Sequence, residues 1–167
     1  MQHIDKTIDV QVPLSQAYNQ WTQFESFPRF MMNVLDVRQI DATHVWWRAS
    51  IGGRSEEWTT EITRQEPDRL VAWRSTSGLP NEGSVRFEAL APDSTRIRLS
   101  MDFQPLNLLE TVAAATGLVA RRIEHDLEKF KELLEETGHE TGAWRGRVER
   151  GDVVKDGLAQ DDVAGSE

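Results

Sequence analysis

Polar and apolar residues alternate from residue 2 to 12, with Ile4, Ile8, Val10 and Val12 set among polar neighbours. That period predicts a half-buried strand, and Pro13 ends it. In PLSQAYNQWTQF the spacing changes: Leu14, Ala17, Tyr18, Trp21 and Phe24 recur three and four residues apart, the stripe of a short amphipathic helix. Ser15 is placed to cap it. ESFPRFMMNV, broken by Pro28, predicts a second short helix or turn whose buried side is Phe24, Phe27, Phe30 and Met31.

From residue 34 to 104 the period becomes two, punctuated by the turn signals DAT, GG, EPDR, SGLPNEG and APDST. A run of antiparallel strands follows from this. Helical spacing returns from Asn107 to Glu136, with Leu109, Val112, Thr116, Val119, Ile123, Phe130 and Leu134 on one stripe, Leu127 at its edge and most charge opposite. This predicts a long C-terminal helix that covers the sheet. From Gly138 onward the chain holds six of its eleven glycines and a single aromatic, Trp144, so residues 138–167 are expected to form a flexible tail after a domain at 1–137.

The turns set a strand register. Gly52-Gly53 suits a two-residue hairpin, because such turns need positive φ. Counting back places Trp47 opposite Trp58 and Arg48 opposite Glu57. Across EPDR, Ile62 meets Trp73, Thr60 meets Ser75 and Glu61 meets Arg74. Across APDST, Phe87 is expected opposite Leu99, Val85 opposite Met101 and Glu88 opposite Arg98. One face then presents Trp47, Trp58, Thr60, Trp73, Ser75, Phe87, Met101 and Phe103 towards the long helix, and the other carries an alternating charged lattice. Trp46, adjacent to Trp47, falls on the charged face opposite Thr59, where it is free to anchor Trp144 or a second subunit.

Composition narrows the function classes. At 167 residues one core is expected, and 38% hydrophobic with 28% charged residues fits a globular protein. No apolar run approaches the roughly 20 residues that span a bilayer. The N-terminus lacks the basic and apolar regions of a secretory signal, so a cytoplasmic location is expected. A net charge of -9 disfavours nucleic-acid binding, and the absence of cysteine excludes thiol chemistry. The four histidines show no ligand spacing, and no HExxH, GxSxG or Gly-rich phosphate loop occurs, so neither a metal nor a cofactor is expected.

The order strand, two short helices, six antiparallel strands and long helix resembles the helix-grip fold of the START-like or SRPBCC superfamily. VPLSQAYNQWTQFESFPRFM and IGGRSEEWTTEITRQEPDRLVAWRS are similar to segments of its polyketide cyclase/dehydrase-like bacterial branch. The resemblance spans about residues 2 to 137. It implies an α+β fold with a curved seven-stranded antiparallel sheet gripping the C-terminal helix, and a cavity between them for a lipid, polyketide or other hydrophobic ligand. It also leaves open a cofactor-free aromatase/cyclase or dehydratase, a quinone-chaperone or protein-interaction module, and a homodimer.

Ligand contacts are expected from the inward sheet face named above, from Tyr18 and Phe30, and from Val112, Thr116, Val119 and Ile123 on the helix. Tryptophans offer wide apolar walls with an N–H to spare, and Tyr18, Thr60, Ser75 and Thr116 offer hydroxyls. Cyclase chemistry needs proton transfer or enolate stabilisation inside the pocket. The register sends Glu57, Glu61, Glu88 and Asp102 outward and leaves Glu56 beside the hairpin, near a cavity mouth. No inward acid or base is therefore expected.

Overall fold

The computed structural model describes residues 2–51, 53–104 and 112–155, with the side chains of 112–115 excluded. Strand β1 (Gln2–Val10) leads into helix α1 (Leu14–Trp21) and a 3-10 helix at Phe24–Arg29. Six strands follow: β2 (Val34–Gln39), β3 (His44–Ile51), β4 (Arg54–Glu66), β5 (Leu70–Gly78), β6 (Asn81–Ala91) and β7 (Ser94–Phe103). Helix α2 (Val112–Thr137) and two short strands, β8 (Arg147–Glu149) and β9 (Asp152–Lys155), complete the described chain. The main sheet runs β1-β7-β6-β5-β4-β3-β2, antiparallel at every step. This is the α+β helix-grip architecture.

The Gly-Gly hairpin sets β3 against β4 with Trp47 opposite Trp58 and Arg48 opposite Glu57, and β4 meets β5 with Ile62 opposite Trp73. Between β6 and β7 the expected pairs are corrected by two residues: Phe87 faces Ile97, Val85 faces Leu99 and Glu88 faces Arg96. The turn is tighter than expected, since Ala91 already pairs with Ser94, and a bulge at Leu90 absorbs one residue. An even slip leaves every side chain on its expected face. Further bulges interrupt β2 and β4 and bend the sheet around the helix.

The core lies where the sheet, α1, the 3-10 helix and α2 meet. Trp21 stands edge-on to Phe27 (5.0 Å between centroids) and Phe130 (5.2 Å), and Phe130 lies 4.8 Å from Phe30. A polar seam along β1 fastens α2 in place: Lys6 Nζ donates to Glu124 Oε2 at 2.6 Å, Lys131 Nζ to the Asp9 carbonyl at 2.9 Å, and the Gln11 N–H to Glu135 Oε2 at 2.8 Å. Ser15 does not cap α1. Pro13 occupies the cap position, and the Ser15 hydroxyl donates to Asp68 instead.

The expected flexible tail is corrected as far as residue 155. Residues 139–149 run across α1 as a strap: Asn19 donates to Glu140, Gln20 exchanges hydrogen bonds with Thr141, and the Trp144 N–H donates to Thr22 Oγ1. Arg145 reaches Asn19 Oδ1 and both Asp68 oxygens while its guanidinium lies 5.7 Å from the Tyr18 ring centroid. Val148 is fully buried, and β8 pairs with β4 beyond the end of β3. Trp144 packs against the core, so it is not the partner of Trp46. The Trp46 N–H donates to Glu57 at 3.2 Å and Arg38 stacks on its ring, a local arrangement on the outer face.

Candidate functional site

A cavity of about 180 Å³ opens between the inner face of the sheet, the 3-10 helix and α2. Of the residues expected there, Trp47, Trp58, Thr60, Trp73, Met101, Phe30 and Ile123 line it. Trp47 and Trp58 stack nearly parallel, 3° apart with centroids 6.0 Å apart, and Phe27 lies 5.6 Å from Trp47.

Glycines make room for these rings. Gly78 pairs with Trp58 at φ +78°, and a Cβ there would collide with the Glu57 carbonyl and the Trp58 backbone. Gly83 pairs with Trp73, and a Cβ there would collide with the Ser100 carbonyl and crowd the indole, which instead reaches Asn81 Oδ1 at 2.9 Å.

The other expected contacts lie elsewhere. Tyr18 is fully buried behind the cavity, its hydroxyl accepts from Gln65 Nε2 at 3.0 Å, and burial pushes its phenol up to about 12. Phe87 packs edge-on to Tyr18 and serves the core. The Ser75 hydroxyl donates to the Ser77 carbonyl, Thr116 donates to Gln2 on β1, and Phe103 and Val119 are off the cavity wall. Glu56 does not line it either. Val112 opens α2, but its side chain lies outside the described residues.

Sequence reasoning gave Trp21, Phe24 and Phe27 to the core alone, whereas they also line one side of the cavity. It also missed Asp126, which corrects the expectation that no acid or base faces inward. Asp126 sits three residues after Ile123 and four before Phe130, so it flanks the apolar stripe of α2, and it lines the cavity with its side chain 13% exposed. That spacing was the available signal. Its Oδ1 accepts the Met32 N–H at 3.3 Å, and His125 Nδ1 lies 3.8 Å away.

Burial pushes the Asp126 carboxyl above its ordinary value, against the opposing pull of the Met32 N–H, His125 and Arg122. A carboxyl raised in the folded state binds more protons there than in the unfolded chain. Its stabilising contribution is therefore present below the unfolded value near 3.8 and is lost as pH rises through the folded value. Asp126→Asn is expected to remove that loss, making the variant more stable than wild type at pH 7 and less sensitive to pH above 4. Paired thermal melts across that range check it; equal pH profiles would contradict it.

The remaining polar groups of the wall largely satisfy one another. The Trp47 N–H donates to Thr60 Oγ1 at 3.0 Å, Thr60 donates to the Val45 carbonyl, and Asn81 Nδ2 donates to the Leu79 carbonyl. The Trp58 N–H has no hydrogen-bond partner among the described residues. No metal-holding group of His, Cys, Asp and Glu occurs among the described residues, and no described helix is long and apolar enough to cross a membrane.

Similarity to known proteins agrees with this architecture. A 17.2 kDa uncharacterized protein of Streptomyces lincolnensis is 44% identical over 149 residues, covering 89% of this chain and 99% of its own. A START superfamily protein from Mycobacterium smegmatis superposes with a TM-score of 0.73 at 16% identity, over 81% of this chain and 98% of the other. The Zhui aromatase/cyclase from Streptomyces sp. R1128 superposes with a TM-score of 0.69 at 18% identity, over 85% and 98%. At such identities these two superpositions speak for the fold alone. Residues 10–132 match the family model described as polyketide cyclase / dehydrase and lipid transport, and the chain belongs to that family.

Proposed function

We propose that the protein binds a compact hydrophobic, aromatic small molecule in the cavity between its sheet and α2. The observation that carries this reading is the wall itself: Trp47, Trp58 and Trp73 from three strands face Trp21, Phe27 and Phe30 across unfilled space. A concave pocket lined mainly by aromatic and aliphatic side chains, with a few convergent polar groups, has the usual form of a small-molecule site.

Volume limits the occupant. Ligand pockets for drug-sized molecules start at roughly 300 Å³, whereas an engineered apolar cavity of roughly 150 Å³ accepts benzene. A space of about 180 Å³ therefore suits one or two rings, and a longer polyketide or lipid requires it to widen. Native mass spectrometry of protein purified from its own host is expected to retain a small apolar molecule. Protein free of any such mass, whose melting temperature no one- or two-ring aromatic raises, would overturn the reading.

A second reading, cofactor-free cyclisation or dehydration, is favoured by Asp126. It is the one carboxyl among the lining residues, and its raised proton affinity suits general acid–base work. Turnover of a poly-β-ketone analogue that Asp126→Asn abolishes would support it, and turnover unchanged in that variant would remove Asp126 from the chemistry.

A further inference from the structure

We propose that Asp126 decides which ligands the cavity accepts: it selects molecules that present a hydrogen-bond donor, a hydroxyl or an ammonium, and turns away those that present a carboxylate. This rests on the binding reading above and concerns the same cavity.

Three observations carry it. First, Asp126 is the one ionisable side chain among the lining residues, set in a wall that is otherwise apolar apart from Thr60, Asn81 and the indole N–H groups. Second, its hydrogen bonding is incomplete. Oδ1 takes the Met32 N–H, while Oδ2 accepts no hydrogen bond among the described residues. Oδ2 is therefore accessible and unpartnered, placed to accept from a donor on a ligand, and a hydrogen bond to an ionised carboxylate is roughly twice as strong as a neutral one. Thr60 and Asn81 already serve Trp47 and Trp73, so neither competes for that role.

Third, the site has no cation in its wall. His125 Nδ1, itself buried without a hydrogen-bond partner, lies 3.8 Å from the carboxyl outside the lining, and Arg122 contributes only at longer range. An entering carboxylate would meet a like charge amid the seven aromatic side chains of the lining, whose electron-rich rings offer an anion nothing. A hydroxyl donor completes the carboxyl instead, and an ammonium would in addition be attracted to the ring faces. Free fatty acids and aromatic acids are thus the wrong chemistry for this cavity, although their apolar parts would fit its walls.

The test is calorimetric titration of the full chain at neutral pH with four shape-matched probes: naphthalene, 2-naphthol, 2-naphthylmethylamine and 2-naphthoate. Wild type is expected to bind a donor-bearing probe about tenfold or more tighter than naphthalene and to give no measurable binding of 2-naphthoate. Asp126→Leu is expected to bring naphthalene and 2-naphthol within about twofold of each other. Asp126→Asn, which keeps the shape and loses the charge, is expected to admit 2-naphthoate. The hydroxyl and ammonium arms show which donor is preferred, and either preference supports the proposal.

Equal affinity for naphthalene and both donor-bearing probes, or wild-type binding of 2-naphthoate as tight as 2-naphthol, would overturn it and leave the cavity a ligand site. Absence of binding by all four probes would instead sink the binding reading on which it rests.

Discussion

Phe130→Ala is expected to lower stability by about 3–5 kcal/mol, the usual range for emptying a fully buried phenylalanine site. Phe130 is completely inaccessible and stands between Trp21 and Phe30, so it joins α2 to both short helices. The aromatic geometry adds to simple burial, because the ring meets Trp21 edge-on at 88°. Rigid neighbours collapse poorly into a vacated site, which places the expected loss high in the range. Urea unfolding should show the midpoint fall with an unchanged slope. A loss below about 1 kcal/mol would mean that α2 is held chiefly by its polar seam with β1 rather than by the aromatic cluster.

Ending the chain after Gly138 is expected to destabilise the fold by about 3 kcal/mol or more, although every residue of β1 to β7, the two short helices and α2 would remain. Asn19 and Gln20 are buried, and their amides are satisfied by Glu140, Thr141 and Arg145. Without the strap these hydrogen bonds would be exchanged for water, each at about 0.5–1.5 kcal/mol, while Gln20 would keep its bond to Ser26. Val148 and Trp144 would also leave apolar contacts behind. For a chain of this size the melting temperature should fall by roughly 10 °C. A truncated protein melting with wild type would show that residues 139–149 decorate the domain rather than brace it.

Phe130 and the strap differ in how far the sequence reveals them. Phe130 was legible, since three- and four-residue spacing along α2 announces a buried stripe without knowledge of its partner. The strap was not. Its glycines and scarce aromatics describe a segment unable to fold alone, and it is ordered by side chains of α1 that lie about 120 residues away in the chain. Local composition carries no trace of that contact.

The hairpin at Gly52-Gly53 fixed Trp47 against Trp58 because a two-residue turn leaves a single register. The β6–β7 register depended on a bulge at Leu90, which has no comparable signature, yet the even slip preserved both faces. Half of the expected ligand contacts line the cavity for that reason: inward parity was readable, whereas distance along the strand from the cavity was not. Ser75 and Phe103 share the right face at the wrong height. Asp126 escaped notice for a different reason. A charged residue at the margin of an apolar stripe looks like the start of the solvated side, and only the contact with the Met32 N–H, 94 residues away, shows it turned inward.

Ligand binding between the sheet and α2 is tested most directly by filling the space. Val45 lines the cavity from β3 and is buried, so Val45→Phe would place a ring where a ligand is proposed to sit. Calorimetric titration with 2-naphthol should show saturable one-to-one binding to wild type and at least a tenfold weaker response in Val45→Phe, with the variant's melting temperature equal or higher, because the added ring occupies empty volume. Equal affinity in the two proteins would place the ligand outside this cavity and contradict the proposed function.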